Sequence, residues 1–124
     1  MRTMGDNTKP HNNMPAESQL ENEIRKYAES QGVLTYKFTS PGNAKVPDRI
    51  LIKEVTVFLE VKAAGELPDD GQTEEIFRIN AVGGHATWCD SLTDAKELID
   101  TIKDWGAGQH LEDFIFQQNL ILEL

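Results

Sequence analysis

Apolar residues recur near the start of the chain with the spacing of an amphipathic helix. Leu20, Ile24 and Ala28 follow one another at intervals of four residues, which places their side chains on one face of a helix. Gly32 comes directly after this pattern and is a typical helix terminator. The pattern predicts a first helix from Glu17 to Gln31.

Three short runs rich in β-branched and aromatic residues follow, and turn-forming residues separate them. We expect strands over Val33–Phe38, Arg49–Ile52 and Val55–Lys62. The dipeptide Lys53-Glu54 is short enough to form a hairpin turn between the second and third strands. The third run is mostly apolar as far as Leu59, which indicates a central, buried strand.

Helical and strand patterns alternate over the second half of the chain. A helix is expected from about Gln72 to Val82, closed by Gly83-Gly84, and a fourth strand from His85 to Cys89. Ser91 has the character of an N-cap for a last helix that ends near Gly106. The order helix, three strands, helix, strand, helix predicts an α/β fold in which helices flank a mixed β-sheet.

The two ends of the chain differ from this central region. Residues 1–15 are polar without an apolar period, so we interpret them as a flexible leader before a domain over residues 16–105. Residues 106–124 begin with Gly106-Ala107-Gly108 and then carry eight large apolar side chains: Leu111, Phe114, Ile115, Phe116, Leu120, Ile121, Leu122 and Leu124. We expect this segment to be buried as a dimerisation element, at or swapped across a homodimer interface. Packing on its own domain is the alternative.

The composition fits a soluble protein of one domain. The chain has 124 residues, of which 39% are hydrophobic and 27% are charged, values typical of globular proteins. No apolar run approaches the ~18 residues of a membrane span, and the N-terminus has no signal-peptide core. The single cysteine, Cys89, is expected to be a small buried residue without a disulfide. These features exclude a membrane protein and predict a cytoplasmic location.

The charge is unevenly distributed. The net charge of −9 argues against nucleic acid as a partner, because phosphate binding relies on Lys and Arg. Residues 25–62 nevertheless hold seven basic and four acidic side chains, a net charge of +3 that leaves −12 to the rest. Four basic side chains in this window are candidates for phosphate contact: Lys37, Lys45, Arg49 and Lys53. This distribution is compatible with a DNA-facing side and an acidic back.

Two short motifs carry the candidate chemistry: Pro47-Asp48 at the start of the second strand, and Glu60-Val61-Lys62 at the end of the third. Alternate side chains share one face of a strand, so Glu60 and Lys62 point the same way. A hairpin between the two strands would bring Asp48 beside Glu60. Two neighbouring carboxylates repel each other, and a hard divalent cation such as Mg²⁺ relieves that repulsion.

An oxygen-lined Mg²⁺ site with a lysine beside it suits the hydrolysis of a phosphodiester. We expect Asp48 and Glu60 to bind the ion through carboxylate oxygens and Val61 through its backbone carbonyl. Lys62 would then position the attacking water and stabilise the charge that develops on the phosphate. No covalent intermediate is required.

The same residues resemble a known family, the virus-type replication-repair nuclease (VRR-NUC) domain of the PD-(D/E)xK superfamily. The resemblance rests on the order Glu17, Pro47-Asp48, Glu60-Val61-Lys62 and Gln72, and it extends from Glu17 to Asp94. It implies a restriction-endonuclease-like core, a need for Mg²⁺ or Mn²⁺, and cleavage of branched DNA similar to that of Holliday-junction resolvases in replication, recombination or repair. It further implies a phage-encoded protein in the host cytoplasm.

The resemblance also assigns roles to two further residues. Gln72 would help to fix Lys62 or a water in the site, and Glu17 would reach the metal from the first helix. Glu21 lies one turn along the same helix face and is the alternative to Glu17.

The chain departs from the family's pattern at two points, neither of which removes a predicted catalytic residue. Lys45 stands where a glycine is usual, and the segment 67–71 stands where a serine-containing loop is usual. Two other functions are consistent with the sequence. One is a non-catalytic module that binds DNA or protein on the same fold, and the other is an unrelated inhibitor or assembly factor whose acidic surface contacts a basic partner.

Overall fold

Seven segments of regular structure span residues 13–105, the part of the chain that the computed structural model describes. They are α1 (Asn13–Ser30), β1 (Leu34–Lys37), β2 (Arg49–Lys53), β3 (Val55–Val61), α2 (Asp70–Ala81), β4 (Ala86–Cys89) and α3 (Leu92–Lys103). Their order and the α/β class are those predicted from the sequence. The predicted start of the first helix at Glu17 is wrong: α1 begins at Asn13.

The four described strands form one mixed sheet in the order β1-β2-β3-β4. β1 and β2 pair in antiparallel fashion, as do β2 and β3, whereas β3 and β4 run parallel. The predicted hairpin between β2 and β3 is present, and it turns at Glu54, whose φ of 62° lies in the left-handed region. β3 therefore has a neighbour on each side, as expected for a central strand.

The two faces of β3 pack against different helices. Val57, Leu59 and Val61 are fully buried and share one core with residues of α1 and α3. On the opposite face, Phe58 packs against a smaller cluster that includes Ile76 of α2. The predicted alternation along this strand is confirmed.

Side chains at the N-termini of α2 and α3 fix where these helices begin. Ser91 accepts a hydrogen bond from the backbone N–H of Asp94 at 3.1 Å, which confirms the predicted cap of α3. α2 begins before the predicted position because Asp69 is its N-cap and forms a capping box with Gln72. Gln72 therefore lies in the first turn of α2.

Cys89 is buried at the end of β4, as predicted, and burial raises the pKa of its thiol to about 12. None of the described helices combines the length and the apolar character needed to cross a membrane. The predicted C-terminal element over residues 106–124, and with it the predicted dimer interface, lies outside the described residues.

Candidate active site

The hairpin of β2 and β3 brings Asp48 next to Glu60. The register pairs Arg49 with Leu59, so the adjoining residues Asp48 and Glu60 lie across from each other at the open end of the hairpin. The backbone N–H of Val61 donates a 3.1 Å hydrogen bond to Oδ2 of Asp48. This contact holds the Asp48 carboxylate against the end of β3.

A third carboxylate reaches this point from α1. One oxygen from each of Glu17, Asp48 and Glu60 lies within 4.8 Å of the other two. Glu60 is only 2% exposed, whereas Glu17 and Asp48 are partly exposed. This carboxylate cluster therefore has one member inside the protein and two at its edge, where solvent or a ligand can approach.

Burial and mutual repulsion disfavour the charged forms of these three groups. Burial, followed by the negative charge of Asp48, raises the pKa of Glu60 to about 9. Burial also raises the pKa of Asp48, against the effect of the Val61 N–H, and the pKa of Glu17, against the effect of Lys62. Oxygen ligands crowded together in this way are a donor set that suits a hard divalent cation. The three residues thus fit such an ion.

Lys62 extends from the end of β3 toward α2. Its backbone N–H donates to the carbonyl oxygen of Cys89 at 2.9 Å, and its Nζ lies 3.4 Å from Oε1 of Gln72. The same oxygen of Gln72 accepts the backbone N–H of Asp69 at 3.0 Å. Gln72 thus connects the start of α2 with the lysine that the sequence marks as a candidate catalytic residue.

Glu21, the alternative to Glu17, is engaged elsewhere. Its Oε2 accepts hydrogen bonds from Nζ of Lys37 at 2.8 Å and from Nη1 of Arg49 at 2.9 Å. Of the two glutamates, the structure places Glu17 in the carboxylate cluster. The sequence leaves this choice open because both residues lie on one helix face.

Two of the four side chains expected to contact phosphate, those of Arg49 and Lys53, bond to other groups of the protein. Arg49 is 7% exposed. It forms an ion pair with Glu21 of α1 and also donates to the hydroxyl of Thr35 at 3.1 Å. It therefore links α1 to the sheet instead of facing a ligand. Lys53 lies five residues along β2 from Asp48, about 16 Å away at the usual rise of a strand, and its Nζ donates to the carbonyl of Lys103.

The other two expected contacts, Lys37 and Lys45, retain 64% and 51% exposure of their side chains. Lys45 forms an ion pair with Asp69, whose Oδ2 lies 2.7 Å from the lysine Nζ. Sequence reasoning missed this pair, which joins the segment before β2 to the N-cap of α2. An aspartate three residues before Gln72 is a capping-box pattern that marks Asp69 as an N-cap, but it does not indicate Lys45 as a partner.

A cavity of about 330 Å³ opens beside the carboxylate cluster. All of its lining residues belong to the segment between β1 and β2: Phe38, Thr39, Ser40, Asn43, Ala44, Val46 and Asp48. The turn-forming residues between the first two predicted strands indicated a turn or loop there and gave no sign of a cavity.

Comparison with known proteins adds independent information. No protein-family model matches the chain. The chain is 40% identical over 77 residues to the protein named "Putative nuclease p44" of Acyrthosiphon pisum secondary endosymbiont phage 1, a match that covers 60% of this chain and 78% of that protein.

Two solved structures are similar to the chain. A structure named "VRR_NUC domain" is 26% identical with a TM-score of 0.63, over 68% of this chain and 95% of the other. A second, named "VRR_NUC domain protein", is 15% identical with a TM-score of 0.64, over 73% of this chain and 90% of the other. The second likeness concerns the fold alone, and the mixed sheet with its flanking helices is common to all three.

Proposed function

The chain belongs to the VRR-NUC family of nucleases, and from this premise we propose that it is a metal-dependent DNA endonuclease that hydrolyses phosphodiester bonds. The observation that carries the proposal is the carboxylate cluster: oxygens of Glu17, Asp48 and Glu60 within 4.8 Å of one another. The cluster stands at the end of β3, where Lys62 follows directly. A group of carboxylates that can hold a divalent ion, with a lysine beside it, is an arrangement that suits phosphodiester hydrolysis.

Each residue of the site has a role that follows from its surroundings. Asp48 and Glu60 would hold Mg²⁺, or Mn²⁺ in its place, with Glu17 as a further carboxylate ligand and the Val61 carbonyl as a backbone ligand. When bound, the ion supplies positive charge that favours ionisation of water and offsets the charge of the phosphate.

The remaining part of the chemistry belongs to Lys62 and Gln72. Lys62 would stabilise the negative charge that grows on the phosphate oxygens and help to orient the attacking water. Gln72, whose Oε1 lies 3.4 Å from the Lys62 Nζ, would restrict the positions that this flexible side chain can adopt. Its own side chain is fixed by the capping box.

We also propose a preference for branched DNA, as in Holliday-junction resolvases, and a role in replication, recombination or repair in the cytoplasm of a phage-infected host. The nuclease unit is proposed to comprise residues 16–105, and residues 106–124 to form a homodimer interface. Two sites related by a two-fold axis would allow symmetric cutting of a four-way junction, since each site cuts one strand.

Cleavage of labelled duplex, nicked, flapped and four-way DNA in Mg²⁺, Mn²⁺ or EDTA tests the activity. We expect cleavage that EDTA abolishes, and loss of cleavage in Asp48→Asn, Glu60→Gln and Lys62→Ala. Glu97→Gln and Lys26→Ala change exposed side chains in the same way and serve as controls. Activity in EDTA would overturn the metal requirement, and full activity of Lys62→Ala would overturn the role of the lysine. Failure of the unaltered protein to cut any DNA would favour a non-catalytic binding module.

A further inference from the structure

We propose that the cavity beside Asp48 binds one unpaired nucleotide next to the scissile phosphate, and that this pocket selects DNA in which such a nucleotide is available. The inference rests on the proposed function, because it takes the carboxylate cluster as the place of cleavage. The substrate feature that the cavity would recognise is a base that is not stacked in a duplex.

The cavity adjoins the proposed place of cleavage. Asp48 belongs both to the cavity lining and to the carboxylate cluster. A nucleotide in the cavity would therefore place its own phosphate, or that of its neighbour, at the cluster. A volume of about 330 Å³ lies within the range of roughly 300 to 1,000 Å³ that is typical of small-ligand pockets, and a nucleoside is a ligand of this class.

The chemistry of the lining favours a neutral aromatic group. Apart from Asp48, no residue of the lining is charged, so the interior offers no cationic partner for a phosphate. Phe38 contributes an aromatic ring, held against Phe58 with 5.4 Å between the ring centroids. Thr39 and Ser40 contribute hydroxyl groups, which can donate to or accept from a base or sugar. Aromatic and hydroxyl side chains together are the usual surroundings of an unstacked base.

Hydrogen bonds within the protein preform the wall of the cavity. The backbone N–H of Asn43 donates to the carbonyl of Ser40 at 3.0 Å, and Gly42 between them adopts a φ of 86° that favours glycine. The Asn43 side chain donates to Glu75 of α2 at 3.2 Å and accepts the Lys45 N–H at 3.0 Å. A preformed pocket avoids much of the entropy cost of ordering a loop on binding.

The charges of the chain fit recognition through a base. Arg49, which could otherwise contact the backbone of DNA, is buried in an ion pair. The net charge of −9 disfavours a broad electrostatic hold on duplex phosphates. A base in an intact duplex can enter a cavity only after it has been unstacked and unpaired, whereas branch points and single-stranded extensions present bases at a lower cost.

Cleavage of three matched DNAs by the full chain tests the proposal. The first is a fully paired duplex, the second has one unpaired nucleotide beside the mapped cut, and the third replaces that nucleotide by an abasic analogue. We expect the second to be cut faster than the other two by about tenfold, the size of effect that one base-aromatic stack can give. Equal rates for the abasic and the complete nucleotide would overturn the proposal.

A cavity-filling substitution tests the same idea from the protein side. In Ala44→Leu the larger side chain occupies the space for the base, and we expect the preference for the unpaired nucleotide to fall close to unity. Ala81→Leu makes the same change at the exposed C-terminal end of α2 and should retain the preference. An unaltered preference in Ala44→Leu would show that the cavity does not receive the base.

Binding without catalysis separates this proposal from the proposed function. If no DNA is cut, the nuclease assignment fails, yet the pocket can still be examined by titrating the full chain with a thymidine dinucleotide and following backbone NMR signals. We expect shifts centred on Thr39, Ser40 and Asn43, and their loss in Ala44→Leu. Shifts confined to other surfaces, or none at millimolar dinucleotide, would overturn the pocket whatever the cleavage result.

Discussion

The ammonium group of Lys45 lies 2.7 Å from a carboxylate oxygen of Asp69. The lysine stem also crosses Gly71 so closely that a Cβ there would lie 3.0 Å from Cγ of Lys45. Lys45 and the segment 67–71 are the two points at which the sequence departs from the family's pattern. The structure shows that the two departures meet, so the basic residue of one compensates the acidic residue of the other.

Asp69 should matter to stability mainly as the cap of α2. Its Oδ1 accepts the backbone N–H of Gln72 at 2.8 Å, so Asp69→Ala should lower the free energy of unfolding by about 1 kcal/mol. Lys45→Ala removes an ion pair whose two side chains are each 51% exposed, together with the lysine stem that lies over Gly71, and it should lower the free energy of unfolding by less than ~1 kcal/mol. Urea unfolding measures both changes. Asp69→Asn keeps the cap and is the control; a cost equal to that of Asp69→Ala would contradict this assignment.

In the absence of metal, the carboxylate cluster should lower the free energy of unfolding relative to a variant that lacks one of its carboxyl groups. Glu60→Gln replaces a buried carboxyl group, whose ionisation is opposed by burial and by Asp48, with a neutral amide of the same shape, so the melting temperature in EDTA should stay equal or rise. We expect divalent metal to stabilise the unaltered protein, and the same substitution should remove most of that stabilisation, because one proposed ligand is lost. Thermal melts with EDTA, Mg²⁺ and Mn²⁺ test this. A Glu60→Gln protein that melts lower in EDTA and responds fully to metal would contradict it.

The raised pKa of Glu60 predicts the direction of a pH dependence. Between the ordinary value of 4.5 and about 9, the unfolded chain has released a proton that folded Glu60 still holds. The folded state therefore binds more protons, and the free energy of unfolding should fall as the pH rises through this interval. Urea unfolding in EDTA at the two ends of the interval gives the slope. Glu60→Gln should show a shallower slope, and an identical slope would contradict the prediction.

The two cations that contact Glu21 should differ in their contribution to stability. The Arg49 side chain is 8% exposed and that of Glu21 is 13% exposed, so Arg49→Met leaves a largely buried carboxylate with one partner and should cost roughly 3 kcal/mol. The side chain of Lys37 is 64% exposed, so Lys37→Met should lower the free energy of unfolding by less than ~1 kcal/mol. Equal losses of unfolding free energy in Arg49→Met and Lys37→Met, measured by chemical denaturation, would show that burial does not make the Arg49–Glu21 pair the more important one.

The apolar segment at the end of the chain should control assembly. We expect light scattering to give a dimer for the full chain and a monomer for a chain that ends at Trp105, because the truncation removes eight large apolar side chains. The shortened protein should remain folded by circular dichroism. A monomeric full chain at micromolar concentration would contradict the dimer and support packing of the segment on its own domain.

Periodicity made much of this arrangement predictable. The alternation from Val57 to Val61 gave the faces of β3, and the short turn after Lys53 gave the hairpin that sets Asp48 across from Glu60. Both follow from local rules of strand geometry.

Contacts between distant segments were not predictable in the same way. Arg49 lies on the core face of β2, but only the position of α1 supplies the acidic partner that allows it to be buried there. The choice of Glu17 over Glu21 also depends on how α1 is rotated against the sheet. The cavity needs the loop geometry between β1 and β2, which the turn residues alone do not define.

The three carboxylates of the cluster come from α1, from the residue before β2 and from β3. A chain in which α1 has come away from the sheet keeps only two of them. A cation that requires all three can bind only when α1 is docked, and by mass action it shifts the population toward that docked form. Metal occupancy and the docking of the first helix are then thermodynamically linked, and a partly unfolded chain is without its full ligand set before its sheet has begun to open.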